Sequence, residues 1–504
     1  MPLLNSILKN YFIRNSSVQK IIEDPYQCQE KCFHYLIQAS KNTSWGKKFD
    51  YQNIKSIEHF QEKVEVNTYE TLFPYIERSI KGERNVLWRG KTHMFSKSSG
   101  TSGSKSKYIP VTIESLIECN YKGGKDTLSL YVKNRPDTKL FTGKTLSLTG
   151  SLHESDINPK AVCGDISAIL IKYIPEWANH LRTPSKKISL LPNWDSKLEK
   201  FTQATMSQNI TALAGVPSWI LVILKRILEF KSVDTLNTIW PHLELFLHGG
   251  VNFSPYLPQY KSIISDERIY YWQVYNASEG YFATQDRPFT NDMLLLLNNG
   301  VFYEFITLSD FLNNEHKTIT IQDVKTDINY VIVISTNAGL WRYIIGDVVQ
   351  FTSTNPYRII ITGRTTHFIN AFGEELIIDN VEKALYVTCE KTNSMVIEYT
   401  VAPIYFQNNE RASHEWLIEF KKAPKSIDAF TSILDIELMK LNSDYEAKRS
   451  FDILLQKPII HQVPEGTFLR WMSIKGKLGG QYKVTRLSNN RTIIDEIKKL
   501  ISLS

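Results

Sequence analysis
Between Ser96 and Thr112 the chain reads Ser-Lys-Ser-Ser-Gly-Thr-Ser-Gly-Ser-Lys-Ser-Lys-Tyr-Ile-Pro-Val-Thr. The eleven residues from Lys97 to Lys107 hold five Ser, one Thr, two Gly and three Lys. Glycines let backbone amides approach an anion, hydroxyls donate to phosphate oxygens, and lysines supply point charge. A triphosphate suits such a loop. A Walker A loop needs Gly directly before Lys-Ser, whereas here Ser104 precedes Lys105 and the spacing from Gly100 is wrong, which disfavours a P-loop NTPase. A flexible Ser/Gly linker has the same composition, although a linker has no reason to run straight into Tyr108-Ile-Pro-Val-Thr.

Three later segments carry chemistry of the same kind. Tyr275-Asn-Ala-Ser-Glu-Gly280 follows a strand-like run. A Glu just past a strand end can hold Mg²⁺ against phosphate oxygens, and the tyrosine offers a flat face to a purine; a solvated turn glutamate is the plain alternative. Trp341-Arg-Tyr-Ile-Ile-Gly-Asp347 ends on a carboxylate suited to both hydroxyls of a ribose, or else on an ordinary turn Asp. Thr362-Gly-Arg-Thr-Thr-His-Phe-Ile-Asn-Ala-Phe-Gly-Glu-Glu-Leu376 coincides with a change of pattern, with Gly363 a candidate hinge.

The elements that must position these residues alternate. The first ninety residues read as helical, with Leu72, Ile76 and Ile80 on one face and Pro74 marking a start or a kink. Short β-branched or aromatic runs at Thr145–Leu148, Leu243–Leu247, Ile269–Val274, Tyr330–Ile334 and Arg358–Ile361 predict strands between helices, hence an α/β body. Beyond Gly363, strands are expected at Met395–Ile404, Trp416–Phe420 and Thr467–Ile474. A helix carries Phe430, Leu434, Leu438 and Leu441 on one face, and a closing helix begins near Thr492. This portion has its own apolar face and reads as a separate small domain.

The gross numbers exclude several classes. At 504 residues the chain exceeds a single core. A net charge of +7 over 59 basic and 52 acidic residues is mild, and no basic tract is interleaved with aromatics, so no nucleic acid is expected. Five scattered cysteines predict free thiols in a reducing cytoplasm; Cys28 and Cys32 share a helix face, without the second pair that zinc needs. The N-terminal residues make a poor signal peptide. The apolar stretch Trp219 to Phe230 is interrupted by Lys225 and Arg226 and is too short to span a membrane. A soluble chain without a membrane partner is expected.

Taken in order, the four segments resemble the adenylate-forming superfamily of acyl-CoA synthetases, peptide-synthetase adenylation domains and luciferases. The chain is more closely similar to the auxin-responsive Gretchen Hagen family of acyl-acid amido synthetases. The match rests on Ser98-Ser-Gly-Thr-Ser-Gly-Ser-Lys-Ser-Lys, Tyr275-Asn-Ala-Ser-Glu-Gly, Arg342-Tyr-Ile-Ile-Gly-Asp and Gly479-Gly-Gln-Tyr-Lys-Val-Thr-Arg486. It covers nearly the whole chain. Thr485 departs from it, standing where the family usually has Pro.

The resemblance implies an α/β fold: a large N-terminal adenylate-forming domain of β-sheets and packed helices (1–363), hinged to a smaller, mobile α+β C-terminal domain (364–504). It implies ATP and Mg²⁺, a small carboxylic acid activated as acyl-AMP, and acyl transfer to an amine, an amino acid, by a monomer. Ser98, Ser99, Gly100, Thr101, Ser102 and Lys105 would line the ATP phosphates. Tyr275 and Ser278 would border the nucleotide, Glu279 would bind Mg²⁺, and Gly249 and Gly250 would approach adenine. Asp347 would hold the ribose with Arg364 as a second contact. Lys483 would meet the α-phosphate and acyl oxygens, with Lys475 and Lys477 as alternatives. Val216 and Trp219 are candidate walls of the acyl pocket, although Trp219 also suits plain core. An acid–thiol ligase making an acyl-CoA and a non-catalytic nucleotide-binding homologue are the alternatives.

Overall fold
A computed structural model describes residues 2–98, 107–155, 157–191, 194–250, 253, 256–265, 267–365, 368–369, 376–404, 413–442, 445–446, 449, 455–475 and 483–502. Among the described residues, one compact unit comprises 2–98, 107–345 and 350–360; a second comprises 346–349 and 361–502.

The first unit begins with helices, as their caps dictate. Pro25–Ser40 starts where the Asp24 carboxylate accepts the amide of Gln27 at 3.1 Å, with Pro25 in the first turn. In Tyr69–Ile80 the residues Leu72, Ile76 and Ile80 are buried along one stripe, and Pro74 is accommodated inside the helix. The strands are β1 (Met94–Ser98), β2 (Lys107–Val111), β3 (Lys144–Ser147), β4 (Leu152–His153), β5 (Val162–Gly164), β6 (Arg182–Thr183), β7 (Ile210–Gly215), β8 (Leu245–His248), β9 (Tyr270–Ala277), β10 (Gly280–Thr284), β11 (Met293–Leu295), β12 (Val301–Thr307), β13 (Asn329–Thr336), β14 (Tyr343–Thr354) and β15 (Tyr357–Arg364). Four form a small sheet in the order β2-β1-β5-β4, and eleven a large one in the order β12-β13-β14-β15-β11-β10-β9-β8-β7-β3-β6.

The large sheet changes character along its width. From β6 through β3, β7, β8 and β9 all pairs are parallel, whereas β9 meets β10, and β10 meets β11, antiparallel. Successive residues of the parallel strands serve opposite layers. Leu213 and Phe246 pack beneath the helix Pro217–Lys231, which contributes Ile220, Ile223, Leu224 and Ile227 at helical spacing. Ala212 and Leu245 face the other way, towards Phe12, Tyr131 and Trp272.

In the second unit, β16 (Phe368–Ile369) pairs with β17 (Leu376–Ile377), and β18 (Met395–Ile404), β19 (Ser413–Lys422) and β20 (Ile459–Val463) form a three-stranded sheet. Helices cover both its faces. Trp416 and Ile418 pack with Val381 and Leu385 of Ile378–Thr392 and with Phe430, Leu434 and Leu438 of Ile427–Leu441. Leu417, pointing oppositely, packs with Phe468 and Trp471 of Thr467–Ile474 and with Ile493, Ile494 and Ile497 of Thr492–Ser502. The chain is therefore the expected α/β body with a smaller α+β unit.

One expected strand is a helix. Thr467–Ile474 winds because the Glu419 carboxylate accepts the amides of Gly466 at 2.8 Å and Phe468 at 3.1 Å, filling donors that a helix start leaves open. The buried pair Phe468 and Trp471 then has helical spacing, and Leu469 and Ile474 are exposed. All five cysteines are free thiols, and no described helix is long and apolar enough to cross a membrane.

Candidate active site
In the parallel register Gly215 of β7 lies beside His248 of β8, and His248 beside Gln273 of β9. The chain leaves β7 into Val216, which caps the helix Pro217–Lys231, and leaves β8 into Gly249 and Gly250. It leaves β9 into Ser278 and Glu279. The Ser278–Glu279 segment singled out by residue type, the Gly249–Gly250 pair implied by the resemblance and the candidate pocket wall Val216 therefore lie at the carboxyl ends of three adjacent parallel strands, where open α/β sheets bind ligands. Gly249 is required there: a Cβ on it would stand 2.4 Å from the Val274 carbonyl oxygen. Gly250 has φ +80°, which favours glycine. Trp219 is half-buried.

Ser278 and Glu279 form the two-residue connection of the β9–β10 hairpin, with Ala277 opposite Gly280. The Ser96 hydroxyl of β1 donates to Ser278 Oγ at 2.9 Å, which ties this turn to the strand that enters the Ser/Gly loop. Tyr275 is buried, its ring centroid 5.0 Å from that of Phe282, so most of the ring is covered within the unit. Glu279 is half-buried. No group of three or more His, Cys, Asp or Glu able to hold a metal exists among the described residues. A cation at Glu279 would therefore take one protein carboxylate and complete its shell with phosphate oxygens and water, an arrangement that Mg²⁺ accepts.

The stem of the Ser/Gly loop pairs Ser98 with Lys107. Lys107 Nζ lies 5.3 Å from the ring of Tyr69, whose hydroxyl accepts the Tyr108 amide at 2.8 Å. Ser99, Gly100, Thr101, Ser102 and Lys105 lie outside the described residues, as does the side chain of Ser98.

The second unit gathers the other predicted residues. Arg364 Nε stands 2.8 Å from Asp347 Oδ1, an ion pair rather than an aligned hydrogen bond. Asp347 lies within β14, not in a turn. Desolvation lowers the Lys483 pKa to about 8, with Arg364 and Arg486 adding to the fall and Asp347 and Glu382 opposing it. Its side chain remains solvent-exposed, and that contact with water tempers the depression. Arg486 fixes the segment bearing Lys483: it pairs with Glu382 and, at 2.8 Å, with Glu398, and its carbonyl accepts the Val401 amide at 2.7 Å. Lys475 is instead held by Glu496 at 2.7 Å, and Lys477 lies outside the described residues.

Arg342, part of the matched motif but given no role from sequence, is buried. Its guanidinium meets Glu304 through two hydrogen bonds of 3.0 Å, and it also bonds Thr318 and the carbonyls of Gln61 and Val64. An arginine inside an apolar run was the available signal, since a buried charge needs such a set of partners.

Profiles of the GH3 family N-terminal, central and C-terminal domains match residues 14–269, 294–364 and 379–492. Among similar proteins, indole-3-acetic acid-amido synthetase GH3.4 of Arabidopsis thaliana is 24% identical, covering 93% of this chain and 90% of that one. Indole-3-acetic acid-amido synthetase GH3.3 of the same plant is 23% identical, covering 91% and 88%. The solved structure of GH3.15 acyl acid amido synthetase superposes with a TM-score of 0.79 at 17% identity, covering 97% of this chain and 95% of that one. A 2-hydroxyisobutyryl-CoA ligase superposes at 0.59 and 11% identity, covering 97% and 94%. These two superpositions speak to the fold alone.

Proposed function
The chain belongs to the GH3 family, and on that footing we propose that it is an ATP-dependent, AMP-forming ligase that joins a small carboxylic acid to an amine, an amino acid. The observation that carries this reading is the alignment of Val216, Gly249–Gly250 and Ser278–Glu279 at the ends of adjacent parallel strands. There the Ser96–Ser278 hydrogen bond fastens them to the entry of the Ser/Gly loop.

A carboxylate is a poor electrophile. Its oxygen attacks the α-phosphorus of ATP, the bond to the bridging oxygen breaks, and pyrophosphate leaves with the electron pair. The acyl carbon now carries AMP as a leaving group. An amine nitrogen attacks that carbon, loses a proton, and AMP departs. Two anions must approach in the first step, so cationic groups have to offset their repulsion. In this reading Lys105 and Lys483 supply that charge. Ser98, Ser99, Gly100, Thr101 and Ser102 hold phosphate oxygens. Gly249 and Gly250 offer backbone to adenine, Tyr275 and Ser278 border the nucleotide, and Asp347 with Arg364 binds the ribose. Glu279 would hold Mg²⁺, which when bound neutralises phosphate charge. Residues 364–504 would act as a mobile domain that exchanges the two half-reactions at one acyl group. The chain would work as a monomer in the cytoplasm, which suits five free thiols.

Acid-dependent exchange of labelled pyrophosphate into ATP tests the first half-reaction, and product analysis with mixed amino acids and coenzyme A tests the second. Amide formation is the expected result. Thioester formation would make the chain an acid–thiol ligase, and ATP binding without exchange for any acid would make it a non-catalytic nucleotide binder.

A further inference from the structure
The chain leaves Lys483 along a segment that is fastened from several sides. Val484 packs in one layer of the second unit with Leu417 and Trp471, and Leu487 in the opposite layer with Tyr399 and Trp416. Between them the backbone runs beside β18. The Thr400 hydroxyl donates to the Thr485 carbonyl at 2.8 Å, the Val401 amide to the Arg486 carbonyl at 2.7 Å, and the Ser488 amide to the Val401 carbonyl at 3.1 Å.

The side chain of Arg486 adds a second fastening. Its guanidinium pairs through Nη1 with Glu382 of the helix Ile378–Thr392 and through Nε, at 2.8 Å, with Glu398 of β18, and its Cζ lies 5.1 Å from the centre of the Tyr399 ring. The group is largely covered, with side-chain exposures of 16% for Arg486, 9% for Glu382 and 21% for Glu398. A planar fork that joins carboxylates on two different elements fixes direction as well as charge. It stands three residues from Lys483, whose long side chain can meet a reacting group only from a fixed backbone. The charges acting on Lys483 balance in sign. Beyond the larger effect of desolvation, Arg364 of β15 and Arg486 lower its pKa, and Asp347 of β14 and Glu382 raise it. Asp347 and Arg364 pair with each other, as do Glu382 and Arg486.

Resting on the ligase reading above, in which Lys483 serves the adenylation step, we propose that Arg486, clamped by Glu382 and Glu398, is the positioning residue of Lys483: it holds the lysine's backbone in place for the first half-reaction, and Glu382 keeps a compensating negative charge beside the ammonium.

Full-length Arg486→Gln, Arg486→Lys and Glu382→Gln test this by acid-dependent pyrophosphate exchange across pH, with the KM for ATP and thermal melting measured alongside. Arg486→Gln is expected to lose roughly tenfold or more in kcat with the KM for ATP within about twofold, because a misplaced group costs the transition state rather than ground-state binding. Arg486→Lys keeps the charge but cannot bridge two carboxylates, so its kcat should stay low while its alkaline limb remains at the wild-type pH. Glu382→Gln keeps the shape and removes one negative charge. A lysine that loses a neighbouring carboxylate gives up its proton more easily, so the alkaline limb should move to lower pH by roughly half a unit. If Arg486→Gln fails to fold, Glu382→Gln decides the matter alone. Wild-type kcat in folded Arg486→Gln or Arg486→Lys, a loss confined to KM, or an unmoved limb in Glu382→Gln overturns the inference and leaves the ligase reading intact. Exchange at the wild-type rate in Lys483→Ala does the same. No exchange by the wild type with any acid overturns the ligase reading itself.

Discussion
Glu279 and Lys483 carry opposite charges and make separable predictions. Glu279 stands in a two-residue turn whose neighbour Ser278 is tied to β1, so the carboxylate has a defined place. Replacing it with Ala removes the proposed metal ligand. Acid-dependent pyrophosphate exchange should fall roughly a hundredfold or more, with a raised Mg²⁺ requirement, as steady-state assays across Mg²⁺ concentrations would read. Exchange at the wild-type rate and Mg²⁺ dependence would remove Glu279 from the mechanism. For Lys483 the sign follows from the lowering of its pKa, which contact with water tempers. Below that pKa the ammonium is charged and can offset the repulsion between acid and α-phosphate; as pH rises through it the charge is lost. The wild-type rate of adenylation should therefore decline on the alkaline side. Lys483→Ala should be slow at every pH, lack that limb, and bind ATP with nearly unchanged affinity. A pH profile of exchange, paired with ATP titration, distinguishes this from a structural lysine, whose loss would leave the limb in place.

Arg342, just before β14, and Glu304, in the middle of β12, tie two strands together, so their pairing belongs to the scale of elements. Both are buried, and each is the other's only ion-pair partner among the described residues. Arg342→Ala would leave the Glu304 carboxylate without its cation, and stability should fall by roughly 3–5 kcal/mol, measurable by urea unfolding. A double change to Arg342→Met and Glu304→Leu should recover much of that loss, since removing a whole buried pair is far cheaper than removing half of one. Legibility from sequence divides at the same scale. The helix Ile427–Leu441 could be read because Phe430, Leu434 and Leu438 repeat at its own period, a local property. The helix Thr467–Ile474 could not: its composition suits a strand, and what decides the matter is the Glu419 carboxylate, 47 residues away from the Gly466 amide it accepts. The candidate site shows the same split. Residue type marked Glu279 and the resemblance marked Gly249 and Ser278, but the placing of β7, β8 and β9 side by side arises from long-range pairing.

At the scale of the whole molecule, the division into two compact units bears on how one acyl group meets two different reactants. The bond to pyrophosphate breaks before an amine attacks the acyl carbon, and under the proposed function the groups serving the first step would give way to those serving the second. Lys483 belongs to the unit formed by 346–349 and 361–502, whereas Glu279 belongs to the other. Among the described residues the chain passes between the units at 345/346, 349/350 and 360/361, and Gly363, in β15, stands just beyond the last of these, inside the second unit; the hinge hypothesis places control of the exchange there. Proline at 363 fixes φ and removes an amide donor, which stiffens that passage. Under the exchange hypothesis, Gly363→Pro should retain pyrophosphate exchange within about threefold yet lose at least about tenfold in amide formation, because only the second half-reaction needs the rearrangement. Thermal melting would verify that the variant folds, and rapid-quench measurement of acyl-AMP would show the intermediate accumulating. Wild-type rates in both half-reactions would mean that the passage at Gly363 does not govern the exchange, and the two reactants would have to reach a single fixed arrangement of residues.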